Sequence, residues 1–203
     1  MPDLAPILGV LGGAVGVADT IPYVRDTVHG STRPHRGTWL IWGVLAIVVC
    51  ASQRADGASW SLVMTATQAV LTGFVFLLAI RHGEGGLSAI DLAMIGVACA
   101  GVIGWLLARE PVVAVACVIV ADLTAAAMMT PKAYRDPHSE TLATYALASI
   151  GGALAAGAVG ALDVSLLLYP AYYSLVNAAM ALLIFVRRAR PGPVAAIGAE
   201  ALA

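Results

Sequence analysis

The sequence predicts an all-α membrane protein with seven transmembrane helices in a single membrane domain, residues 1–203. Hydrophobic residues make up 60% of the chain, charged residues only 11%, and the mean hydropathy is +0.89, which is well outside the range of ordinary soluble domains. Seven long stretches carry either no charge or a single acidic residue. The basic residues are concentrated in alternate gaps between these stretches, which is the charge pattern of a multi-pass protein.

The predicted helices follow the apolar stretches in chain order. A bilayer core needs about 20 apolar residues per crossing, and the candidates cover residues 4–24, 38–53, 58–80, 87–108, 111–130, 141–161 and 164–186. The second stretch is short for a crossing, so we expect that helix to begin nearer Arg36. The first stretch is preceded by Asp3 and by no Lys or Arg, which favours a retained helix over a secretory signal peptide.

The charge distribution predicts the orientation of the helices in the membrane. The gaps after the first, third and fifth helices, together with the C-terminal tail, hold Arg25, Arg33, Arg36, Arg81, Lys132, Arg135, Arg187, Arg188 and Arg190. The other gaps hold only Arg54 and Arg109. Because basic residues accumulate on the cytoplasmic side, the N-terminus is predicted outside and the C-terminus in the cytoplasm.

The three cysteines all lie in apolar stretches, at Cys50, Cys99 and Cys117. An odd number of cysteines within the bilayer favours packing as small apolar side chains over disulfide bonds or a metal site. No histidine and cysteine cluster has the spacing of metal ligands. No cofactor and no metal are therefore predicted.

Two helix-to-loop junctions, residues 21–39 and residues 130–145, resemble each other. Each contains a proline, an Arg-Asp pair, a histidine, a Ser/Thr segment and a threonine followed by an aromatic residue, in the same order and at nearly constant spacing. Transporters are often built from duplicated units, so we predict an internal duplication. Chance similarity between two junctions is the alternative.

The duplication accounts for the predicted number of seven helices. A three-helix unit that starts outside ends inside, so a parallel copy needs one more helix to return the chain. This 3+1+3 plan assigns residues 4–80 to the first repeat, 87–108 to the linker helix and 111–188 to the second repeat. Residues 189–203 form a short cytoplasmic tail.

With these features the chain resembles the SWEET, semiSWEET and PQ-loop transporters, and the vitamin carriers of the PnuC type have a related architecture. The resemblance covers roughly residues 5–188, and residues 131–141 are most similar to the PQ-loop pattern. The glutamine of that pattern is replaced by Tyr23 in the first repeat and by Lys132 in the second, which leaves the substrate open. The resemblance implies a proton-coupling acid on the fifth helix and a substrate-binding asparagine on the seventh.

Asp19 and Asp122 are the predicted proton-coupling residues, and Asp122 is also a predicted substrate-binding residue. A carboxylate inside a membrane helix is costly and usually faces a cavity or a partner. At about 1.5 Å per residue, Asp122 lies near the midplane and Asp19 lies closer to the cytoplasmic end. The alternative is a structural role, with the carboxylate satisfied by a hydroxyl from Thr20, Thr124 or a tyrosine.

One face of the seventh predicted helix presents Tyr169, Tyr173 and Asn177, which follow one another at intervals of four residues. The resemblance implies that Asn177 lies in the substrate pocket, and its amide both donates and accepts hydrogen bonds. Gln68 lies on the corresponding helix of the first repeat. All four are predicted to bind substrate; contacts between helices are the alternative for Asn177, and an interfacial position is the alternative for Tyr169.

Aromatic residues at the helix ends are predicted to form gates or interfacial anchors. Trp42 lies one turn inside the second helix and is predicted to contact substrate or to close an inner gate. Tyr145 corresponds to Trp39 in the second repeat and is predicted to act as a gate. Anchoring at the membrane interface is the main interpretation for Trp39, Trp42 and Trp60.

Pro22 and Pro131 are predicted to act as hinges at the cytoplasmic ends of the first and fifth helices. Proline cannot continue regular helical hydrogen bonding, and both repeats carry one at this place. The alternative is that these prolines only end their helices.

Together these features predict a transporter for a small neutral polar solute, such as a sugar or a nucleoside- or vitamin-like molecule, that works by alternating access with proton coupling. No basic residue is predicted at the midplane to pair with an anion. The predicted partners are the solute and membrane lipid, without nucleic acid; a homo-oligomer is compatible with the sequence. The predicted location is the cell membrane, and the high Ala and Gly content favours a bacterial inner membrane.

Other functional classes fit the sequence less well. A membrane receptor or scaffold without transport is the main alternative. A light-sensing protein needs a Schiff-base lysine in the seventh helix, but the only lysine is Lys132. An enzyme is not predicted, because paired catalytic carboxylates and metal ligands on one helix face are missing.

Overall fold

The computed structural model describes residues 4–55, 61–85, 88–108, 111–160 and 162–189, and these ranges are all-helical. They form seven α-helices, with a single turn of 3-10 helix at Pro137–Ser139. The helices are α1 (Leu4–Val28), α2 (Arg36–Ala55), α3 (Ser61–His82), α4 (Ala89–Leu107), α5 (Pro111–Arg135), α6 (Leu142–Ala158) and α7 (Val164–Ala189). Among the predicted features, Trp60, Arg109, Arg190 and the rest of the C-terminal tail lie outside the described residues.

The number and order of the predicted helices are confirmed, and α2 begins at Arg36 as expected. The predicted ends of two helices are wrong, because α1 continues to Val28 and α5 to Arg135. Pro22 and Pro131 therefore lie inside helices and do not end them. A proline removes one backbone hydrogen bond, but helices of this kind continue where neighbouring groups satisfy the freed carbonyl. The hinge role of the two prolines stays a prediction.

Four of the described helices are long and apolar enough to cross a membrane. They are Leu4–Val28, Ala89–Leu107, Val115–Arg135 and Leu166–Ala189. Large apolar side chains are also widely exposed on the outside of the bundle, including Leu107 at 76%, Val70 at 72% and Leu175 at 71%. Such an apolar exterior indicates a membrane protein, since soluble monomers rarely expose large contiguous apolar surfaces.

For description, the helices are divided into two triplets that are consecutive in the chain, and the most extensive helix contact among the described residues, α1 with α6, joins the two triplets. In the first triplet, α1–α3, helix α3 packs on both α1 and α2; in the second triplet, α5–α7, helix α7 packs on both α5 and α6. Within the described residues, the backbones of α1 and α2 do not approach closely, and neither do those of α5 and α6; these pairs meet through side chains, such as Tyr23 with Trp39 and Met129 with Tyr145. The triplets meet through α1 with α6 and through α2 with α5, while α4 packs mainly on α5.

Three clusters of buried apolar side chains hold the bundle together. The first joins α2, α4 and α5 around Leu45, the second joins α5, α6 and α7 around Met129, and the third joins α1, α2 and α3 around Val75. The indole of Trp42 packs against all three clusters. This residue therefore lies where the two triplets converge.

The connections after α1, α3 and α5 meet at one end of the bundle. We call it the polar end, and it comprises residues 29–35, 83–85 and 136–141. Arg33 donates to Asp136 over 2.5 Å and lies 3.4 Å from a carboxylate oxygen of Glu84. The buried hydroxyls of Thr32 and Thr141 are 2.7 Å apart. All three connections are thereby tied to one another.

Two threonines join the triplets deeper in the bundle. The hydroxyl of Thr38, in the first turn of α2, donates to the carbonyl of Ala125 in α5 over 2.9 Å. The hydroxyl of Thr144, in the first turn of α6, donates to the carbonyl of Asp19 in α1 over 2.7 Å. The same kind of bond thus crosses the interface in both directions, and these residues are buried.

Candidate functional site

A cavity lies between the two triplets in the half of the bundle next to the polar end. Residues of six helices line it, and no residue of α4 does so in the described part of the chain. The polar and aromatic members of the wall are Asp19, Thr20, Tyr23, Trp39, Trp42, Gln68, Thr72, Asp122, Thr144, Tyr145, Tyr169, Tyr173 and Asn177. Polar atoms are thus concentrated around one internal space in an otherwise apolar protein.

The cavity is small. Its volume is about 60 Å³. A cavity needs at least about 10–15 Å³ to hold one water, so this one has room for more than one. A solute of that size, or a larger one after a modest separation of the triplets, would fit this space.

In the structure, the predicted substrate-binding residues all line the same cavity. All six of them line the cavity: Trp42, Gln68, Asp122, Tyr169, Tyr173 and Asn177. The predicted proton-coupling residue Asp19 and the predicted gate residue Tyr145 line it as well. Pro22 and Pro131 are not part of the wall. Substrate binding, proton coupling and gating by these residues stay predictions.

Asp122 projects from the middle of α5 and is only 5% exposed. One of its carboxylate oxygens accepts a hydrogen bond of 2.6 Å from the Tyr172 hydroxyl of α7. Thr124, one alternative partner in the sequence, instead donates to the carbonyl of Val120 in its own helix. The carboxylate is therefore held by a neutral donor and not by a cation.

Asp19 lies in α1, opposite the first turn of α6, and is 4% exposed. The hydroxyl of Thr20 donates to its carboxylate over 2.9 Å, and Thr144 binds its backbone carbonyl. Like Asp122, this carboxylate has a neutral hydroxyl donor. Asp19, Asp122 and Tyr173 line the same cavity, so the two carboxylates share one internal space.

Two polar atoms of the wall are buried without a hydrogen-bond partner in the described part of the chain, namely Nε1 of Trp42 and Oε1 of Gln68. The other end of the Gln68 amide donates to Thr72 over 3.1 Å. Asn177 donates one amide hydrogen to the backbone carbonyl of Tyr173 over 2.9 Å. Buried polar groups are normally satisfied, so one unpaired donor and one unpaired acceptor at a cavity indicate a place for a polar ligand.

Aromatic rings form much of the remaining wall. Trp39 and Trp42 of α2 pack edge to face with ring centroids 5.3 Å apart, and Tyr169 and Tyr173 of α7 are 6.2 Å apart. Trp39 is only 7% exposed, and its indole nitrogen donates to Tyr23 over 3.0 Å. The interpretation of Trp39 as an interfacial anchor is therefore wrong, because its ring faces the interior.

A buried polar cluster closes the cavity toward the polar end. Glu140 is fully buried, pairs with Lys132 over 2.5 Å, and accepts hydrogen bonds from Tyr145 at 2.9 Å and from Tyr23 at 3.3 Å. Burial raises the pKa of the Glu140 carboxyl above its ordinary value of 4.5, and Lys132 with the two tyrosines offsets only part of this effect. We call these four residues the Glu140 cluster. Tyr23 and Tyr145 belong both to this cluster and to the cavity wall.

A second polar contact lies at the edge of the polar end. Nε2 of His35 lies 3.6 Å from a carboxylate oxygen of Asp91, while its Nδ1 accepts from the backbone N–H of Thr38 over 3.3 Å. Burial lowers the pKa of His35 below its ordinary value of 6.5, and Asp91 offsets only part of this effect. Asp91 also caps α4 through reciprocal hydrogen bonds with Ser88.

The described residues contain no group of three His, Cys, Asp or Glu side chains that could hold a metal ion. The three cysteines are free. Hydroxyls, amides, carboxylates and aromatic rings are thus the groups that the described part of the cavity offers to a ligand.

The roles of three residues at the site were not predicted from the sequence, for identifiable reasons. Tyr172 is displaced from the face of Tyr169 and Tyr173, and its contact with Asp122 depends on how α7 packs on α5. Trp39 resembled an interfacial anchor because it begins a helix. Glu140 could have been found, because it is an acidic residue immediately before a predicted membrane helix and eight residues after a lysine.

No family model, no curated protein and no solved structure matches the chain.

Proposed function

We propose that this chain is a membrane transporter that moves a small polar solute without negative charge through its central cavity by alternating access. The observation that supports this most is the cavity itself, which holds two carboxylates, two amides and an unpaired indole N–H in the interior of an apolar helical bundle. Polar groups inside a membrane domain are costly and usually mark a solute pathway.

We further propose the 3+1+3 plan, with all seven helices crossing the membrane and α4 as the linker. The identical packing order of the triplets supports an internal duplication, because the third helix of each lies between the other two. The two threonine bonds, from Thr38 to α5 and from Thr144 to α1, support it as well. Such reciprocal contacts are expected when two copies of one unit face each other across a pseudo-two-fold axis.

The proposed orientation has the N-terminus outside and the polar end in the cytoplasm. The excess of basic residues at the polar end and after α7 supports it. Together with the prolines inside α1 and α5, this arrangement is similar to that of the SWEET and PQ-loop transporters. The location would be a cell membrane, and the Ala- and Gly-rich composition favours a bacterial inner membrane.

In this proposal the two triplets move against each other around the cavity. Opening toward the cytoplasm requires the Glu140 cluster to separate, since Tyr23 comes from the first triplet and Tyr145 from the second. It also requires loss of the hydrogen bond between Thr32 and Thr141, which belong to opposite triplets. Protonation of Asp122 or Asp19 would change the charge of the cavity wall and thereby couple proton binding to solute binding.

The wall favours certain solutes over others. None of the described lining residues is Lys, Arg or His, so an anion would find no cationic partner. The amides of Gln68 and Asn177 and the indole N–H of Trp42 suit hydroxyl and amide groups. Sugars and nucleoside- or vitamin-like molecules carry such groups.

The test is solute uptake by purified protein in proteoliposomes, with substrates first identified by thermal shift among sugars, nucleosides, vitamins and amines. Asn177→Ala should abolish binding and uptake while the protein still inserts and folds. Leu175→Ala is the matched control, because Leu175 lies on the same helix and is 71% exposed on the outside. Unchanged uptake in Asn177→Ala would contradict the pocket, and specific binding without any flux would favour a receptor.

A further inference from the structure

We propose that the solute bound in the central cavity is an organic cation that also carries a hydroxyl group, such as a hydroxyalkyl ammonium. Asp19 and Asp122 would provide the counter-charge, the aromatic wall would surround the cationic head, and Gln68 would bind the hydroxyl. This inference rests on the proposed transport function and assigns the charge of its substrate.

The charge of the wall is the first argument. Two of the lining residues are acids, and none of those described is a base. Asp19 and Asp122 are 4% and 5% exposed, and each accepts a hydrogen bond from a neutral hydroxyl. Burying a carboxylate is costly unless a positive charge compensates it. A cation inside the cavity would supply the compensation that the described side chains do not.

The aromatic wall is the second argument. Six rings line the cavity: Tyr23, Trp39, Trp42, Tyr145, Tyr169 and Tyr173. Trp and Tyr rings attract cations through their quadrupole, and aromatic cages are the usual binding sites of quaternary ammonium groups. A neutral solute gains no comparable electrostatic energy from such rings. The combination of two acids with six aromatic rings therefore favours a bulky, weakly hydrated cation.

The two unpaired polar atoms are the third argument. Oε1 of Gln68 is buried without a partner in the described residues, while its amide nitrogen is already bound to Thr72. An unpaired amide oxygen needs a donor, and a solute hydroxyl supplies one. The unpaired N–H of Trp42 can donate to the same hydroxyl oxygen. A solute with a cationic head and a hydroxyl would satisfy both atoms and both acids together.

The cavity of about 60 Å³ is smaller than the roughly 150 Å³ of an engineered cavity that binds benzene, so a ligand of the size of choline requires the two triplets to separate. The sequence predicts a neutral solute because basic residues are missing at the midplane. That observation excludes an anion, but it is equally compatible with a cation.

The test compares choline with its uncharged isostere, in which a carbon atom replaces the nitrogen. Binding to the purified full-length protein in lipid nanodiscs is measured by thermal shift and by titration calorimetry. Because the two probes have the same shape, any difference in affinity reports charge. We expect choline to bind at least about ten-fold more tightly than the isostere, which corresponds to one favourable charge interaction.

Variants locate the interaction in the cavity. Asp19→Asn and Asp122→Asn should each weaken choline binding about ten-fold and leave the weak binding of the isostere unchanged. Trp42→Leu should weaken choline binding about 2- to 30-fold, the range of a cation–π contact. Asp163→Asn is the matched control, because Asp163 is an exposed acid at the start of α7 and lies off the cavity. The melting temperature of each unliganded variant shows that it is folded.

The outcomes separate this inference from the transport proposal. Equal affinity for both probes, binding of neither at millimolar concentration, or choline binding that survives both Asp→Asn changes would overturn the cation assignment. A neutral sugar or nucleoside that binds and is taken up would leave transport intact while refuting the cation. Choline that binds in a charge-dependent manner but is never taken up would support the cation site and refute transport.

Discussion

The contact between α6 and α7 allows a sharp prediction about stability. Gly152 of α6 lies directly against the backbone of α7: a methyl group added there would lie 2.7 Å from the nitrogen of Ser174 and 2.9 Å from its Cα. Carbon atoms in good contact are about 3.5–4.0 Å apart. The two helices must therefore separate by several tenths of an ångström, or one must shift, when Gly152 becomes alanine.

The magnitude of the Gly152→Ala effect follows from two opposing contributions. Overpacking a tight contact costs about 1–3 kcal/mol, whereas alanine stabilises a helix interior by about 1 kcal/mol relative to glycine. We expect a net loss of about 0–2 kcal/mol in the free energy of unfolding. Separation of the helices would also stretch the 2.8 Å hydrogen bond from Ser174 to the carbonyl of Ser149.

Two other glycines provide matched controls in the same protein. Gly96 of α4 has nothing within 4 Å of an added methyl group, so Gly96→Ala should stabilise the fold by about 0.5–1 kcal/mol. Gly104 would meet the sulfur of Cys117 at 2.9 Å, a side chain that can rotate, so Gly104→Ala should fall between the other two. The measurement is reversible unfolding in mixed micelles. If Gly152→Ala is as stable as Gly96→Ala, the close packing of α6 on α7 is refuted.

Two further predictions concern the polar end. Thr141→Val should cost about 1–2 kcal/mol, because it leaves the buried Thr32 hydroxyl without its partner and also removes the hydrogen bond from Thr141 to Asp26. Thr32→Val should cost about 0.5–1.5 kcal/mol, because the Thr141 hydroxyl keeps its bond to Asp26. The double variant should cost about 0.5–1 kcal/mol less than the sum of the two, and additive effects would refute the contact. Thr124→Val, which loses only a bond within its own helix, should cost under about 0.5 kcal/mol. The lowered pKa of His35 means that the unfolded chain takes up a proton at a higher pH than the folded protein, so the fold should lose stability as the pH falls below 6.5. His35→Asn, which keeps an acceptor for the N–H of Thr38, should flatten this dependence in chemical unfolding measured between about pH 7 and 5; an unchanged slope would assign the loss to other groups.

The helices could be predicted from the sequence because hydropathy and charge are local properties. Runs of apolar residues set the number and order of the helices, and the short second run correctly placed the start of α2 near Arg36. Helix ends at proline were less predictable. Whether Pro22 ends α1 depends on what the residues after it contact, and the buried Thr27 extends the helix into the packed polar end.

The composition of the cavity wall was predictable in part. Intervals of four residues correctly placed Tyr169, Tyr173 and Asn177 on one face of α7, and a carboxylate inside an apolar helix drew attention to Asp122. Contacts between distant segments were not predictable in this way. The bond from Tyr172 to Asp122 depends on the rotation of α7 against α5, which the periodicity of a single helix does not determine.

The Glu140 cluster could not be predicted from the sequence either. Its charges and hydroxyls come from α1, from the end of α5, from the turn before α6 and from α6 itself. No local pattern connects the Tyr23 hydroxyl with a carboxylate more than a hundred residues later. These groups meet only because the two triplets pack against each other at the polar end.

The position of α4 determines where the chain must bend if the triplets rock. Because α4 packs chiefly on α5, it would travel as part of the second half, although it is joined in sequence to α3 of the first half. The stretch of residues 83–85 after α3 is held to the first triplet, because the backbone N–H of Glu84 donates to Pro34 and its carbonyl accepts from Arg36. Gly85, whose φ of +65° suits glycine far better than other residues, lies within it. If the triplets move as proposed, this anchored stretch would limit how far α4 and the second half can swing away from α3.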